Sequence, residues 1–184
     1  MKRILIFGGP GVGATTLGRE LAARLSLSHF DLRKIFSVRE DHYLPVPQDE
    51  EEQRNLEVNL SQNPGWILCG PICQWGENLT SLLDLVVFLR LPRRVRLERL
   101  KLREIQERGE NCLKEGMREF RVFNRFMYSA GQYDQAGPGR DSKILHDIWL
   151  SKLQVPILRL EEDAPVQDWV EKVVFKVNNG QLFT

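Results

Sequence analysis

A glycine-rich stretch near the start of the chain, Gly8–Thr16, constrains the fold more than any other part of the sequence. It follows Ile4–Phe7, an apolar run typical of a buried strand. It precedes Leu17–Leu25, where leucines recur at every fourth position and would share one face of a helix. The sequence therefore predicts a strand, a glycine-rich turn and a helix in direct succession, as at the start of many α/β folds.

The spacing within this stretch predicts a phosphate-binding loop. Gly8 and Gly13 are separated by four residues and Thr15 follows, which fits the pattern of that loop in nucleotide-binding proteins. One position departs from the pattern, because Ala14 stands where a lysine is expected. We expect the nucleotide phosphates to contact Gly8, Gly9, Pro10, Gly11, Val12, Gly13, Ala14, Thr15 and Thr16.

The missing lysine divides the usual function of such a loop into two parts. Glycines let several backbone N–H groups point into one hollow, and the helix N-terminus adds partial positive charge, so anion binding does not need the lysine. The Thr15 hydroxyl can still meet a magnesium ion. Phosphoryl transfer, however, loses the ammonium that reaches the β- and γ-phosphates. The alternative interpretation is a glycine-rich turn that binds no ligand.

The composition indicates an ordinary globular protein and argues against several classes. Of 184 residues, 42% are hydrophobic and 28% are charged, and the formal net charge of +1 gives no general attraction for nucleic acid. No apolar run approaches the roughly 20 residues of a membrane span, so we expect no membrane partner. The sequence begins directly with a predicted core strand, so we expect no secretory leader. Three cysteines and three histidines show no disulfide or metal-ligand spacing, which favours a cytoplasmic protein.

Five apolar segments alternate with helical patterns along the chain. This alternation predicts a single α/β domain over residues 1–184, with helices on both faces of a five-stranded parallel sheet. Together with the glycine-rich loop, this arrangement resembles the three-layer α/β/α P-loop NTPase fold, which is the fold class expected. The predicted strands lie near residues 3–7, 28–31, 66–70, 85–91 and 155–160.

Two positions at the carboxyl ends of predicted strands bear on a ligand site. Asp31 ends the second strand, at the edge where ligands bind in open α/β sheets. It is equally consistent with an aspartate that caps a turn or a helix. The third strand ends in Cys69 and Gly70, so it lacks the acidic residue that orients magnesium in many nucleotide-binding enzymes.

An arginine-rich helix is predicted after Pro92. Three of its arginines fall on one face at 100° per residue, which favours a phosphate-rich ligand. The alternative is a solvated face whose arginines pair with Glu98 and Glu104. The three residues are Arg96, Arg99 and Arg103.

Residues 106–141 predict a flap with a helix around 114–129. The segment is rich in glycine and shows few periodic apolar positions, so we expect it to be mobile. Its arginines could close over a ligand. They are Arg118, Arg121, Arg125 and Arg140.

Two helices complete the predicted fold. In the first, Ser142–Leu153, we expect Ile144, Leu145, Ile148 and Trp149 to face inward. The second follows Asp163-Ala164-Pro165, which we expect to cap it, and carries a core stripe from Val166 to Val177.

Three segments together resemble the nucleoside-monophosphate kinase and shikimate kinase group of P-loop kinases. They are the loop Gly8–Thr16, the strand-Pro-helix segment Leu85–Arg103 and the ending Ile157–Pro165. The similarity extends over nearly the whole chain and looks closest to uncharacterised bacterial adenylate-kinase-like P-loop proteins. The resemblance implies binding of ATP and Mg²⁺, with Thr15 toward the metal.

The resemblance also implies catalytic roles for residues outside the loop. Arg99 and Arg103 match arginines that flank the flap in adenylate kinases, and Arg140 looks like a flap arginine that joins them. Asp31 matches the acceptor-binding aspartate of shikimate and gluconate-type kinases. The segment Glu161–Pro165 matches the backbone that borders the adenine.

Three hypotheses for the function follow. The first is an ATP-dependent phosphotransferase that acts on a small molecule or a nucleotide. The second is a catalytically impaired nucleotide-binding or regulatory protein, favoured by Ala14. The third, a nucleic-acid-binding protein, depends on the arginines alone, and the near-neutral charge argues against it. We expect a monomer whose partners are a nucleotide and a small acceptor.

Overall fold

A five-stranded parallel sheet forms the centre of the protein, in a computed structural model that describes residues 2–36, 49–75 and 77–179. The strands are β1 (Arg3–Gly8), β2 (Ser28–Asp31), β3 (Trp66–Cys69), β4 (Leu85–Leu89) and β5 (Ile157–Leu160). They lie in the order β2-β3-β1-β4-β5, and every neighbouring pair is parallel. The predicted fold class and all five predicted strands are confirmed. β5 begins after Pro156, which has no N–H to donate.

The strands bury side chains on both faces of the sheet. In β1, Ile4 and Ile6 belong to one core cluster, while Leu5 and Phe7 belong to the other. β3 and β4 alternate in the same way. Because helices cover both faces, these strands are continuous apolar runs in the sequence rather than alternating patterns.

Eight α-helices surround the sheet in the described part of the chain. They are α1 (Ala14–Leu25), α2 (Leu32–Ile35), α3 (Glu50–Gln62), α4 (Glu77–Ser81), α5 (Arg93–Arg108), α6 (Arg118–Gln132), α7 (Lys143–Lys152) and α8 (Val166–Asn178). Residues of α1 and α8 fill the core on one face, and residues of α3, α4 and α7 fill the core on the other. None of these helices is both long and apolar enough to cross a bilayer.

The segment predicted to be a flap contains more regular structure than expected. A 3-10 turn (Glu110–Leu113) precedes α6, which confirms the helix predicted near 114–129. α6 buries Val122, Phe123, Phe126 and Ala130, so its apolar positions do recur with helical spacing. Phe126 and Ala130 pack against Leu100 of α5. This spacing is readable in the sequence, so the expectation of few periodic apolar positions is wrong for α6.

The inward face of α7 differs from the prediction. Ile144 and Ile148 are 47% and 41% exposed, whereas His146 and Leu150 are buried. α7 turns its His146 face toward the interior because both ring nitrogens of His146 have hydrogen-bond partners there. The prolines Pro45 and Pro47 also predict a loop around residues 40–50, and most of that stretch lies outside the described residues.

Candidate phosphate-binding site

The glycine-rich loop joins the end of β1 to the start of α1. Gly11 and Gly13 have φ angles of +84° and +96°, a region that glycine enters readily. The Val12 N–H donates to the Gly9 carbonyl oxygen across 3.2 Å, which closes a tight turn. No side chain of the described residues caps α1, whereas α3 and α7 are capped by side chains. The first amides of α1 are thus available to an anion.

The outer side of the loop is packed so closely that side chains would not fit there. A β-carbon on Gly9 would lie 2.5 Å from the Tyr133 ring. A β-carbon on Gly11 would lie 2.4 Å from the Arg96 carbonyl oxygen. Close contact therefore requires glycine at both positions, and at Gly11 the positive φ angle requires it as well.

Arg96 contacts this loop from the side of α5 and does not face solvent. It is 1% exposed. Its Nη1 donates to the Pro10 carbonyl oxygen across 2.9 Å, its Nε donates to the Leu91 carbonyl oxygen across 3.2 Å, and its Nη2 pairs with Asp134. The guanidinium also lies over the Tyr133 ring, 4.9 Å from its centre. The expectation that Arg96 joins a ligand-facing stripe is therefore wrong, since all its donors point into the protein.

Arg99 lies at the edge of the loop, one turn further along α5. Its Nη1 donates to the Val12 carbonyl oxygen across 3.4 Å, and its Nη2 donates to Asp163 across 2.6 Å. Arg99 thus joins the phosphate-binding loop to the segment 161–165. α8 begins after Pro165, its N-cap, and no side chain of the described residues caps it.

Arg103, the third residue of the predicted stripe, is engaged by acids of its own helix. Its Nη2 donates to Glu104 across 3.0 Å, and Arg108 donates to the same carboxylate across 2.6 Å. Glu104 is 1% exposed. Burial opposes its ionisation, but the hydrogen bonds from Arg108 and Arg103 prevail and lower the pKa of Glu104. For Arg103, the pairing with Glu104 that was weighed as an alternative is present.

Two other predicted catalytic residues, Asp31 and Arg140, form no hydrogen bond with the described residues of the loop. Asp31 is buried, and its carboxylate accepts the Arg33 N–H across 3.0 Å as the N-cap of α2. The capping interpretation of Asp31 thus describes what it does in this structure. Arg140 is exposed in the turn before α7, and no hydrogen bond or ion pair joins its side chain to another described residue.

Ala14 begins α1 with its methyl group packed against the core on that face of the sheet. Its carbonyl oxygen accepts the Cys69 thiol across 3.4 Å, and the same sulfur lies 3.4 Å from Nε2 of His29. Burial raises the pKa of the Cys69 thiol. Thr15 is half-buried and Thr16 is exposed in the same first turn.

A buried chain of polar side chains beside the loop was not predicted. The Tyr133 hydroxyl lies 2.9 Å from Nδ1 of His146, and Nε2 of His146 lies 2.5 Å from Asp141. Burial raises the pKa of the Tyr133 hydroxyl, which therefore stays protonated beside His146. The four-residue spacing of His146 and Leu150 on α7 was the available signal, because it marks a shared buried face.

A cavity of about 330 Å³ adjoins the loop at Gly9 and Val12. The carboxyl end of β4, the start of α5 and the segment after α6 form its other walls. Its charged lining residues are Arg90, Arg93, Arg96, Asp134, Lys143 and Glu161. Cationic side chains from three parts of the chain thus border the space next to the loop.

Comparison with known proteins agrees with this geometry. The sequence matches the family AAA_18, described as an AAA domain, over residues 4–119. A relative from Bacillus subtilis (strain 168), described as uncharacterized protein YqaC, is 39% identical over 173 residues. That alignment covers 94% of this chain and 96% of the relative.

Two solved structures share the fold at low sequence identity. Shikimate kinase from Acinetobacter baumannii, in complex with shikimate, has a TM-score of 0.53 at 16% identity and is aligned over 99% of this chain and 96% of its own. A sugar kinase from Janibacter sp. HTCC2649 has a TM-score of 0.52 at 14% identity, over 98% of this chain and 96% of its own. These similarities establish a common fold.

Proposed function

Because the chain belongs to the AAA_18 family and is a nucleotide-binding, kinase-like P-loop protein, we propose that it is an ATP-dependent phosphotransferase acting on a small molecule or a nucleotide. The observation that carries the proposal is the glycine-rich loop followed by the uncapped first turn of α1. Backbone N–H groups and the helix dipole at such a terminus attract phosphate. The amides of residues 11–16 would hold the phosphate groups of ATP.

Other residues would surround the nucleotide. The Thr15 hydroxyl would meet Mg²⁺, with the phosphate oxygens and water as its other ligands. Within residues 2–36, 49–75 and 77–179, no three His, Cys, Asp or Glu side chains are grouped as a metal site of their own. Arg99, held by Asp163, would border the nucleotide between the loop and the segment 161–165.

Catalysis would depend on positioning and charge, as is usual for transfer of the γ-phosphoryl group. The charge that lysine normally supplies must come from elsewhere, because Ala14 has none. Arg99, Arg103, Arg140 and Lys34 are the candidates. One carboxylate oxygen of Asp31 accepts the Arg33 N–H. Asp31 would orient the acceptor through its second oxygen, or through both oxygens once the capping contact is broken.

A second function has support from two positions. Ala14 lacks the cationic side chain, and Cys69 stands at the end of β3, where an acid would help to orient magnesium. A protein that binds nucleotide without transferring phosphate, in a regulatory role, would tolerate both. This alternative predicts nucleotide affinity without turnover.

A paired binding and turnover experiment separates these functions. ATP with magnesium is titrated calorimetrically, and phosphate release is then measured alone and with a panel of nucleotides, nucleosides and hydroxylated acids. Acceptor-dependent turnover supports the phosphotransferase. Binding without turnover supports the regulatory protein. If no nucleotide binds at millimolar concentration, both proposals are wrong and the loop is a structural turn.

A further inference from the structure

We propose that Arg96 is a positioning residue that fixes the Pro10–Gly11 peptide so that the Gly11 N–H faces the anion hollow. The proposal concerns the conformation of the loop and rests on the phosphate-binding role proposed for it. It assigns a function to a buried side chain that touches no phosphate itself.

The turn that Arg96 contacts has two available conformations. Residues 9–12 form a β-turn closed by the hydrogen bond from the Val12 N–H to the Gly9 oxygen. Pro10 at its second position and Gly11 at φ +84° are the signature of a type II turn. A type I turn keeps the same ends but rotates the central peptide by about half a turn. Proline suits both types at this position, and glycine adopts either sign of φ.

The local sequence therefore leaves the orientation of the Pro10–Gly11 peptide open. The hydrogen bond from Nη1 of Arg96 to the Pro10 carbonyl oxygen selects one of the two. In a trans peptide the C=O and N–H groups point in opposite directions. Because the Pro10 carbonyl oxygen points to α5, the Gly11 N–H points away from α5.

Arg99 orients a second peptide of the loop, the one between Val12 and Gly13, in the same direction. It donates to the Val12 carbonyl oxygen, so the Gly13 N–H also points away from α5. Arg96 and Arg99 turn the carbonyl groups of Pro10 and Val12 outward. The N–H groups of Gly11 and Gly13 then converge, which is the arrangement of an anion-binding nest. The Arg96 contact is the firmer of the two, since it is shorter and buried.

Arg96 cannot easily release the loop. Its guanidinium is shared by the Pro10 and Leu91 carbonyl oxygens and by Asp134, and it lies over Tyr133. A buried charge held by several acceptors has no equally good alternative position. Because Asp134 and Tyr133 follow α6, the segment after that helix contributes to the loop conformation.

Two variants test the proposal against a matched control. Arg96→Lys keeps the charge but cannot reach three acceptors in fixed directions. Asp134→Asn weakens the ion pair that holds Arg96 but leaves Arg96 in place. It is the variant to measure if Arg96→Lys does not fold. Arg108→Lys is the control, because Arg108 lies on the same helix and pairs with a buried carboxylate but does not contact the loop.

The first measurement needs no ligand. Residual dipolar couplings report the direction of the Gly11 N–H in the full-length protein. We expect the coupling to change in Arg96→Lys, and less in Asp134→Asn, but to match the wild type in Arg108→Lys. Melting temperatures show whether the change follows general destabilisation. An unchanged Gly11 coupling in both test variants overturns the proposal.

The second measurement is titration with inorganic phosphate, followed through the Gly11 and Gly13 amide signals. We expect Arg96→Lys to bind phosphate about tenfold more weakly, the factor that one hydrogen bond to a charged group contributes. If the Pro10–Gly11 peptide rotates in Arg96→Lys but phosphate binds as tightly as to the wild type, the proposed link between Arg96 and anion binding is wrong. If the wild type binds neither phosphate nor nucleotide, the proposed function itself is wrong, whatever the couplings show.

Discussion

Ala14 is the residue where this loop departs most from a phosphate-transferring loop. We expect Ala14→Lys to tighten ATP binding by roughly ten- to a hundred-fold, because one hydrogen bond to a charged group contributes about 1.5–3 kcal/mol. Phosphoryl transfer should gain as well, since charge accumulates there in the transition state. Calorimetric titration with ATP and magnesium measures the affinity.

Ala14→Met is the control for this change, because it adds comparable length without charge. Equal affinity for all three proteins would mean that another cation already occupies the lysine position. Arg99, Arg103, Arg140 and Lys34 would then be replaced in turn.

Glu104 should make the stability of the protein depend on pH. Its pKa is lowered in the folded state by Arg108 and Arg103 despite burial, so its contribution is present above its ordinary pKa of 4.5 and is lost as the pH falls through the folded value. We expect Glu104→Gln to cost about 1–3 kcal/mol at pH 7. Urea unfolding at several pH values measures the difference between the two proteins.

That difference should shrink progressively below pH 4.5. A constant difference down to pH 3 would show that the loss in Glu104→Gln comes from packing rather than from charge.

At the residue scale, the glycine-rich turn could be predicted because it is encoded locally. Gly11 and Gly13 have the positive φ angles that such a turn needs. The roles of Arg96 and Asp163 could not be derived from it, because they depend on partners distant in the chain, Pro10 and Arg99. A helical wheel gives the direction of a side chain, whereas tertiary contacts decide whether that direction leads to solvent or to the interior.

Among the elements, the segment 106–141 should exchange amide hydrogens fastest, but unevenly. Residues 109–117 are mostly exposed, and nothing lies within 4 Å of a β-carbon built on Gly109 or Gly116. α6 packs on α5 and should be slower. Hydrogen exchange with mass spectrometry checks this order. Protection of residues 109–117 equal to that of β4 would contradict the prediction.

α8 offers a matched pair of sites for testing the core. Val173 is fully buried in the apolar stripe, and we expect Val173→Ala to destabilise the protein by about 2 kcal/mol through lost burial and a cavity. Phe175 on the same helix is 72% exposed, so Phe175→Ala should change stability by less than about 0.5 kcal/mol. Denaturant unfolding compares them. A larger loss at Phe175 would mean that its face is covered in solution.

Strands and their order of appearance were easier to predict than helix faces. β1, β3 and β4 are buried on both sides, so their apolar runs are unmistakable. On α7, Trp149 packs against the core as expected, but Ile144 and Ile148 are exposed and His146 is buried in their place. His146 is inside since Tyr133 and Asp141 satisfy it, and that information lies elsewhere in the chain.

The whole molecule should be a monomer that does not bind nucleic acid. In the described part of the chain, the exposed large apolar residues are spread over several helices, and only Ile144 and Ile148 share one helix face. Its formal net charge of +1 gives little general attraction for a polyanion. Light scattering during size-exclusion chromatography should give the 21.4 kDa of one chain. A dimer mass independent of salt, or retention of labelled RNA at low salt, would contradict these expectations.

The thiol contact between Cys69 and Ala14 has a consequence for how such a sequence can evolve. The Ala14 carbonyl oxygen accepts from the Cys69 sulfur at 3.4 Å, so an aspartate at position 69 would set a buried carboxylate against an acceptor. Acquiring the acid alone should therefore be costly. A lysine at position 14 would supply a nearby positive charge that offsets this cost, so the two substitutions are not independent. We therefore expect a sequence that evolves from this loop to a lysine-bearing one to acquire the lysine at position 14 before the acid at position 69.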